Sequence, residues 1–215
     1  MSMNGAPEGA MGKVHLHGYM EEHGFRYLST YTTEEIQHRL DTYYKYTLIR
    51  HPLERLVSAY KDKFCKDHDY FYKQYAEEVI RMGGNNTTSD DNTDQPSNLT
   101  FQVFVEYLIQ KYTKDGGSYR YNKHWKPFYQ LCYPCFVHYD FIGRFENLHK
   151  DAQFLITNLT STNVNRNISF AYQAPAAKNV YKDYIKELSE DQLTKLYEIY
   201  GIDFELFNYT FESDT

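Results

Sequence analysis

Apolar residues recur along this chain in two periods, and the points where one period gives way to the other mark out its elements. From Thr32 to Tyr43, the residues Ile36, Leu40 and Tyr43 fall on one helical face behind a T-x-x-E capping box made by Thr32 and Glu35. Tyr46, Thr47, Leu48 and Ile49 form a short strand-like run. From Leu53 onward, Leu53, Leu56, Val57, Tyr60 and Phe64 return to helical spacing, with Pro52 in the first turn, where its missing N–H is not needed. Further helices are predicted over 101–112, with Phe101, Phe104, Val105 and Leu108 inward, and over 147–159, with Leu148, Ala152, Leu155, Ile156 and Leu159 inward. A last helix opens at a Ser189–Gln192 capping box, buries Leu193, Leu196, Tyr197 and Tyr200, and is expected to stop at Gly201. Residues 136–145 read as a second core strand running to Gly143, and the polar stretch 81–100 as a disordered surface loop between helices. Strands alternating with helices predict an α/β fold with a parallel sheet.

One junction in this pattern carries chemistry. Arg50 ends the first strand, and Arg55, Ser58 and Asp62 share a polar face of the helix that follows. Ligands of open α/β sheets bind beyond the carboxyl ends of the strands. Arg50, Arg55, Ser58 and the free N–H groups of the first helical turn are therefore expected to converge on one anion.

The residues of this junction, R-x-P-x-x-R-x-x-S-A-Y-x-x-K-F from Arg50 to Phe64, resemble the 3′-phosphate-binding motif of the Golgi carbohydrate sulfotransferases, in particular the chondroitin 4-O-sulfotransferase group. Two further blocks, HWKPFYQLCYPCFVHYDFIGRFENL from His124 to Leu148 and LYEIYGIDFELFNYT from Leu196 to Thr210, resemble later segments of the same family, so the likeness runs over about residues 28–210. It implies a P-loop-like sulfotransferase fold with residues 1–27 as a variable N-terminal segment and 28–215 as the sulfotransferase domain. It also implies 3′-phosphoadenosine 5′-phosphosulfate (PAPS) as co-substrate, with Arg50 and Ser58 on its 3′-phosphate and Arg55 supporting them, and no metal. The family's upstream 5′-phosphosulfate loop, a P-K-x-x-x-[ST]-like turn, is not found here. The fold is accordingly expected to lack its first strand–loop–helix, and the chain reads as the C-terminal part of such an enzyme.

By the same resemblance the acceptor is a glycosaminoglycan or glycoprotein glycan, with the 4-hydroxyl of N-acetylgalactosamine in chondroitin or dermatan as the leading candidate and no nucleic acid as partner. Family members are type II proteins of the Golgi lumen. The membrane anchor is absent from this chain, whose longest apolar runs fall well short of the roughly 18 residues a span requires. The alternative reading is a truncated, non-catalytic paralogue that binds nucleotide or glycan. A nucleoside-kinase reading is disfavoured because no G-x-x-x-x-G-K-[ST] occurs.

Charge changes this picture only when it is located. The net charge of −6 is unsuited to a protein that handles polyanions, but 39–66 holds seven Lys/Arg against three Asp/Glu, and 111–126 holds five against one. Transfer of sulfate also needs a base for the acceptor hydroxyl, and histidine titrates in the right range. His15 and His17 are candidates by position in the resembling family, with exposure in a frayed terminus as the alternative. His124, beside Trp125 in the second basic patch, is the other candidate base, with a structural hydrogen-bonding role as its alternative.

The 23 tyrosines and 14 phenylalanines are expected mostly in the core, although Tyr70–Phe71–Tyr72 and Tyr119, Tyr121 and Trp125 would suit a sugar-binding face. Lys178 and Lys182 are weighed as cofactor contacts against a solvated helix surface. Six N-x-[ST] sequons, at Asn85, Asn86, Asn98, Asn158, Asn167 and Asn208, point to passage through the secretory pathway. In that compartment a disulfide among Cys65, Cys132 and Cys135 is plausible, whereas zinc is disfavoured because nothing completes a ligand set around C-x-x-C.

Overall fold

The computed structural model describes residues 24, 26–65, 69–83, 99–114, 116, 122–159 and 180–211. The chain divides into two units, Met1–Lys45 and Tyr46–Thr215.

In the first unit, helix α1 (Thr33–Thr42) opens with the expected reciprocal cap: Glu35 N–H donates to Thr32 Oγ1 at 3.3 Å, and Thr32 N–H donates to Glu35 Oε2 at 2.9 Å. Ile36 and Leu40 are half-buried. Tyr43 corrects the expectation, because it is the C-cap with an extended backbone (ψ 148°), leaves the helical stripe and is 56% exposed. Arg39 lies over the Tyr31 ring at 3.5 Å.

The second unit is built on two parallel strands, β1 (Tyr46–Ile49) and β2 (Phe141–Arg144), paired in the register Tyr46↔Phe141 to Ile49↔Arg144. Gly143 faces Leu48 across the pair, and a Cβ there would sit 2.6 Å from a Leu48 methyl and 2.8 Å from the Phe141 ring, so a larger residue requires these side chains to move. The expected strand over 136–145 is shorter than its apolar pattern suggests. Tyr133 takes a left-handed conformation (φ 49°), its carbonyl accepts from the N–H groups of Phe136 and Val137, and the resulting turn leaves Phe136 81% exposed.

The rest of this unit is helical: α2 (Pro52–Phe64), α3 (Asp69–Met82), α4 (Phe101–Lys114), α5 (Phe128–Cys132), α6 (Leu148–Leu159), α7 (Val180–Lys186) and α8 (Glu190–Leu206). All five apolar positions read in α2 are buried, and they pack with Phe104, Val105 and Leu108 of α4 and Leu196 and Tyr200 of α8. Trp125, 1% exposed, stands edge-on to Phe104 at 5.4 Å and to Tyr75 at 5.7 Å, so it belongs to the core and not to a sugar-binding face.

Helix α4 runs two residues past its expected end, to Lys114, and three other boundaries differ from expectation. Helix α3 continues through Met82 into the segment read as loop, while 84–98 lies outside the described residues. Helix α6 starts one residue late, after the 3-10 turn Phe145–Asn147, and its last residue, Leu159, is 48% exposed. Helix α8 does not stop at Gly201. That glycine is buried, and the apolar face continues through Phe204, so packing outweighs the modest helix penalty of one glycine. The three cysteines are free thiols. Among the described residues no helix is long and apolar enough to cross a membrane.

Candidate functional site

Chain direction fixes the centre of the site. β1 delivers Arg50 to its carboxyl end, His51 turns the backbone, and Pro52 begins α2. His51 is the N-cap: its Nδ1 accepts from Glu54 N–H at 3.4 Å, and its own backbone N–H donates to Glu146 Oε1 at 2.9 Å. Its ring packs among Tyr181, Phe204 and Tyr209 at 5.0–5.3 Å, with Nε2 3.3 Å from the Thr210 carbonyl oxygen. Protein groups thus already engage N–H groups at the turn where an anion was expected. Sequence reasoning missed His51, and its position directly before a helix-opening proline was the available signal.

The two arginines of the motif have different surroundings. Arg50 gives its Nε–H to Glu54 at 3.3 Å, and its guanidinium lies over the Phe145 ring at 4.6 Å, with the side chain about one-fifth exposed. Arg55 is half-buried and turned toward the 122–129 segment, where its two terminal nitrogens donate to the carbonyls of Lys126 (2.6 Å) and Lys123 (2.9 Å). Burial lowers its pKa, partly offset by Asp203 and Tyr200 nearby. Ser58 follows Arg55 by three residues on the same stripe of α2.

Two more side chains hold the same segment from α8. Tyr200, fully buried, donates to the Trp125 carbonyl at 2.5 Å. Asp203, 1% exposed, accepts from Phe128 N–H (2.6 Å) and Tyr129 N–H (2.8 Å) and so caps the short helix α5. Burial pushes the Asp203 carboxyl up, against the downward pull of both hydrogen bonds and of Arg55. Arg55, Tyr200 and Asp203 therefore tie α2 and α8 to one loop. Neither Tyr200 nor Asp203 could be singled out from sequence, since helix periodicity does not reveal which buried polar group meets which backbone group.

What this loop presents is His124. It borders a cavity of about 750 Å³ together with Arg50, Arg55 and Ser58. The cavity is also lined by Lys61, Lys63 and Lys123, so five cations face two carboxylates, Glu54 and Asp62, while Val180 and Tyr181 of α7 close another side. The second basic patch read in the sequence thereby joins the first through Lys123. His124 is half-buried, and burial together with Lys63 and Lys123 pushes its pKa down to about 4, which leaves the imidazole neutral at neutral pH. The structure thus brings Arg50, Arg55, Ser58 and His124 to one concavity. His15, His17 and Lys178 lie outside the described residues, as do Tyr119 and Tyr121.

The sequence profile of the sulfotransferase family matches residues 7–210. Carbohydrate sulfotransferase 11 of Rattus norvegicus is 33% identical over 184 residues, covering 85% of this chain and 51% of its own. Carbohydrate sulfotransferase 14 of Homo sapiens is 35% identical over 188 residues, covering 85% and 46%. Carbohydrate sulfotransferase 9 of Homo sapiens is 29% identical over 214 residues, covering 98% and 47%. The chain spans about half the length of the curated relatives it matches. No solved structure matches it.

Proposed function

We propose a function on one premise, that the chain belongs to the sulfotransferase family: it carries the nucleotide-binding and acceptor-facing part of a carbohydrate O-sulfotransferase that uses PAPS. The observation that carries this reading is the concavity at the carboxyl end of β1, where five Lys/Arg side chains and Ser58 face one space of about 750 Å³. That volume lies within the range of small-molecule pockets, and the excess of cations suits a nucleotide that bears a phosphate at one end and a phosphosulfate at the other.

In this reading Arg50 and Ser58 bind the 3′-phosphate. Arg50 offers its terminal nitrogens while Glu54 and the Phe145 ring hold the guanidinium in place. Arg55 acts one step back, by fixing the loop that carries Lys123 and His124.

His124 is the base the geometry supports. The reaction removes a proton from an acceptor hydroxyl, forms an O–S bond to the sulfuryl group, breaks the S–O bond to the 5′-phosphate and releases adenosine 3′,5′-bisphosphate. An imidazole held near pKa 4 by burial, and to a lesser extent by the surrounding cations, is deprotonated but weakly basic. A bound polyanion neutralises those cations and raises the pKa toward the working pH, so nucleotide binding itself would activate the base. Lysines along the cavity would stabilise charge developing on the bridging phosphate oxygen.

The acceptor under this proposal is the 4-hydroxyl of N-acetylgalactosamine in chondroitin or dermatan, and the compartment is the Golgi lumen. Calorimetric titration with adenosine 3′,5′-bisphosphate tests the nucleotide half. Arg50→Ala should lose about 2–4 kcal/mol of binding as a charge-assisted phosphate contact disappears. Transfer of labelled sulfate from PAPS to chondroitin, dermatan or GalNAc acceptors, by a longer protein that also carries the 5′-phosphosulfate loop, tests the rest. Nucleotide binding without transfer would favour a non-catalytic binding protein, and no binding by folded chain would overturn the site.

A further inference from the structure

The pairing of β1 with β2 continues past the strands themselves. The ladder joins Ile49 to Arg144, and extending its register sets Arg50 beside Phe145 and His51 beside Glu146. Side chains make both of these contacts: the Arg50 guanidinium lies over the Phe145 ring at 4.6 Å, and the His51 N–H donates to Glu146 Oε1 at 2.9 Å. A carboxylate thus stands where the next strand carbonyl would be, and it forms a charge-assisted bond to the peptide between Arg50 and the N-cap of α2.

Glu146 is itself held in place. Tyr209 donates its hydroxyl to Oε2 at 3.0 Å. Burial, followed by the Glu146 carboxylate, pushes that hydroxyl's pKa up, so it stays a donor. The Tyr209 ring lies under the Arg144 guanidinium at 4.5 Å, and Arg144 donates to the Phe207 carbonyl at 2.6 Å. The His51 ring stands edge-on to Tyr209 at 5.3 Å, with Nε2 3.3 Å from the Thr210 carbonyl oxygen. One oxygen of Glu146 therefore holds the turn that carries Arg50, and the other is held by the segment after α8. Glu146 does not line the cavity that Arg50 borders.

We propose that Glu146 is a positioning residue of the anion site: by tying the His51 amide to the Tyr209 hydroxyl, it fixes the direction in which Arg50 offers its guanidinium to the 3′-phosphate. The inference rests on the nucleotide reading given above. A forked guanidinium–phosphate contact depends on planar alignment, so freedom at the Arg50–His51 peptide costs affinity even though no atom of Glu146 meets the ligand. Glu146 is exposed, and water can take up the freed N–H, so its truncation costs the fold little. Structural support and positioning are thereby separable.

Calorimetry of the 215-residue chain with adenosine 3′,5′-bisphosphate, at a temperature where every variant is folded, is the test. Glu146→Ala should raise Kd about tenfold, the low end of what removing a partner one step behind a ligating group costs in metal sites, with Tm nearly unchanged. Glu146→Gln keeps an acceptor for the His51 N–H and should restore affinity. Tyr209→Phe should weaken binding in the same direction by a smaller factor, and it carries the test if Glu146→Ala does not fold. In an Arg50→Ala background, adding Glu146→Ala should change Kd by less than about twofold, since the effect runs through Arg50. Unchanged or tighter binding by Glu146→Ala would overturn the proposal, as would a full tenfold loss in the Arg50→Ala background. The nucleotide reading fails by a different result, a folded wild-type chain that binds no nucleotide, and this inference falls with it.

Discussion

Arg55→Ala separates a residue that binds ligand from one that builds the site. In the structure the guanidinium donates two short hydrogen bonds to main-chain carbonyls, those of Lys126 at 2.6 Å and Lys123 at 2.9 Å, and stands near the buried Asp203 carboxyl. A hydrogen bond from a charged group contributes about 1.5–3 kcal/mol, so losing two amounts to roughly 3–6 kcal/mol. Water entering from the adjoining cavity can recover part of this by solvating the freed carbonyls, while Asp203 loses its nearby cation. The net expectation is about 3–5 kcal/mol, a large part of the roughly 5–15 kcal/mol that holds a domain together. For a domain of this size that corresponds to a fall in Tm of about 6–20 °C. Arg50→Ala provides the contrast: it removes a partly exposed ion pair and a ring contact, together worth about 1 kcal/mol of stability, yet it should remove most nucleotide affinity. Urea unfolding with unchanged m-value, paired with calorimetry at a temperature where every variant is folded, measures both quantities. If Arg55→Ala kept wild-type stability within 1 kcal/mol and abolished nucleotide binding, Arg55 would be a direct phosphate ligand and the clamp assigned to it would be wrong.

Other expectations are more local. Ser58→Ala should weaken adenosine 3′,5′-bisphosphate binding by about 1 kcal/mol with no change in Tm, as calorimetry and thermal melts would show. His124 has its folded pKa near 4, below the ordinary 6.5, so its neutral form stabilises the fold above pH 6.5 and that contribution is lost as pH falls toward 4. Fully expressed, the shift is worth about 3 kcal/mol, and solvent screening of a half-buried ring reduces this to about 1–2. His124→Gln should flatten the urea stability profile by that amount between pH 6.5 and 4, and an identical profile would refute it. Added nucleotide should raise the His124 pKa, visible as an upfield-to-downfield titration of its ring proton at higher pH. Gly143→Ala should cost about 1–3 kcal/mol, because the new methyl meets Leu48 and Phe141 at 2.6 and 2.8 Å; a neutral result would mean that the strand pair shifts freely.

Local pattern determined much of this protein. The α2 stripe, the Thr32 and Ser189 capping boxes, the strand ending at Arg50 and the parallel relation of the two strands all follow from spacing and turn chemistry, because these interactions span only a few residues and are written in the order of side chains. The block around Arg50 likewise carries the family likeness in the order of its residues alone. Spacing alone did not determine where elements yield to packing. Residues 136–145 look like strand throughout, but a left-handed Tyr133 turns most of that run outward, and Gly201 looks like a stop where burial of Phe204 and Asp203 keeps the helix going.

Only the tertiary structure decided what each polar group of the site faces. Arg50 and Arg55 are five residues apart, chemically identical and both at the cavity wall, yet one pairs with Glu54 while the other is bound to carbonyls 68 and 71 positions away. His124 and Lys123 reach α2 because Tyr200 and Asp203, about 75 residues further on, hold their loop. Such partnerships depend on which buried groups remain to be satisfied once distant elements have packed, a three-dimensional accounting that no local spacing encodes.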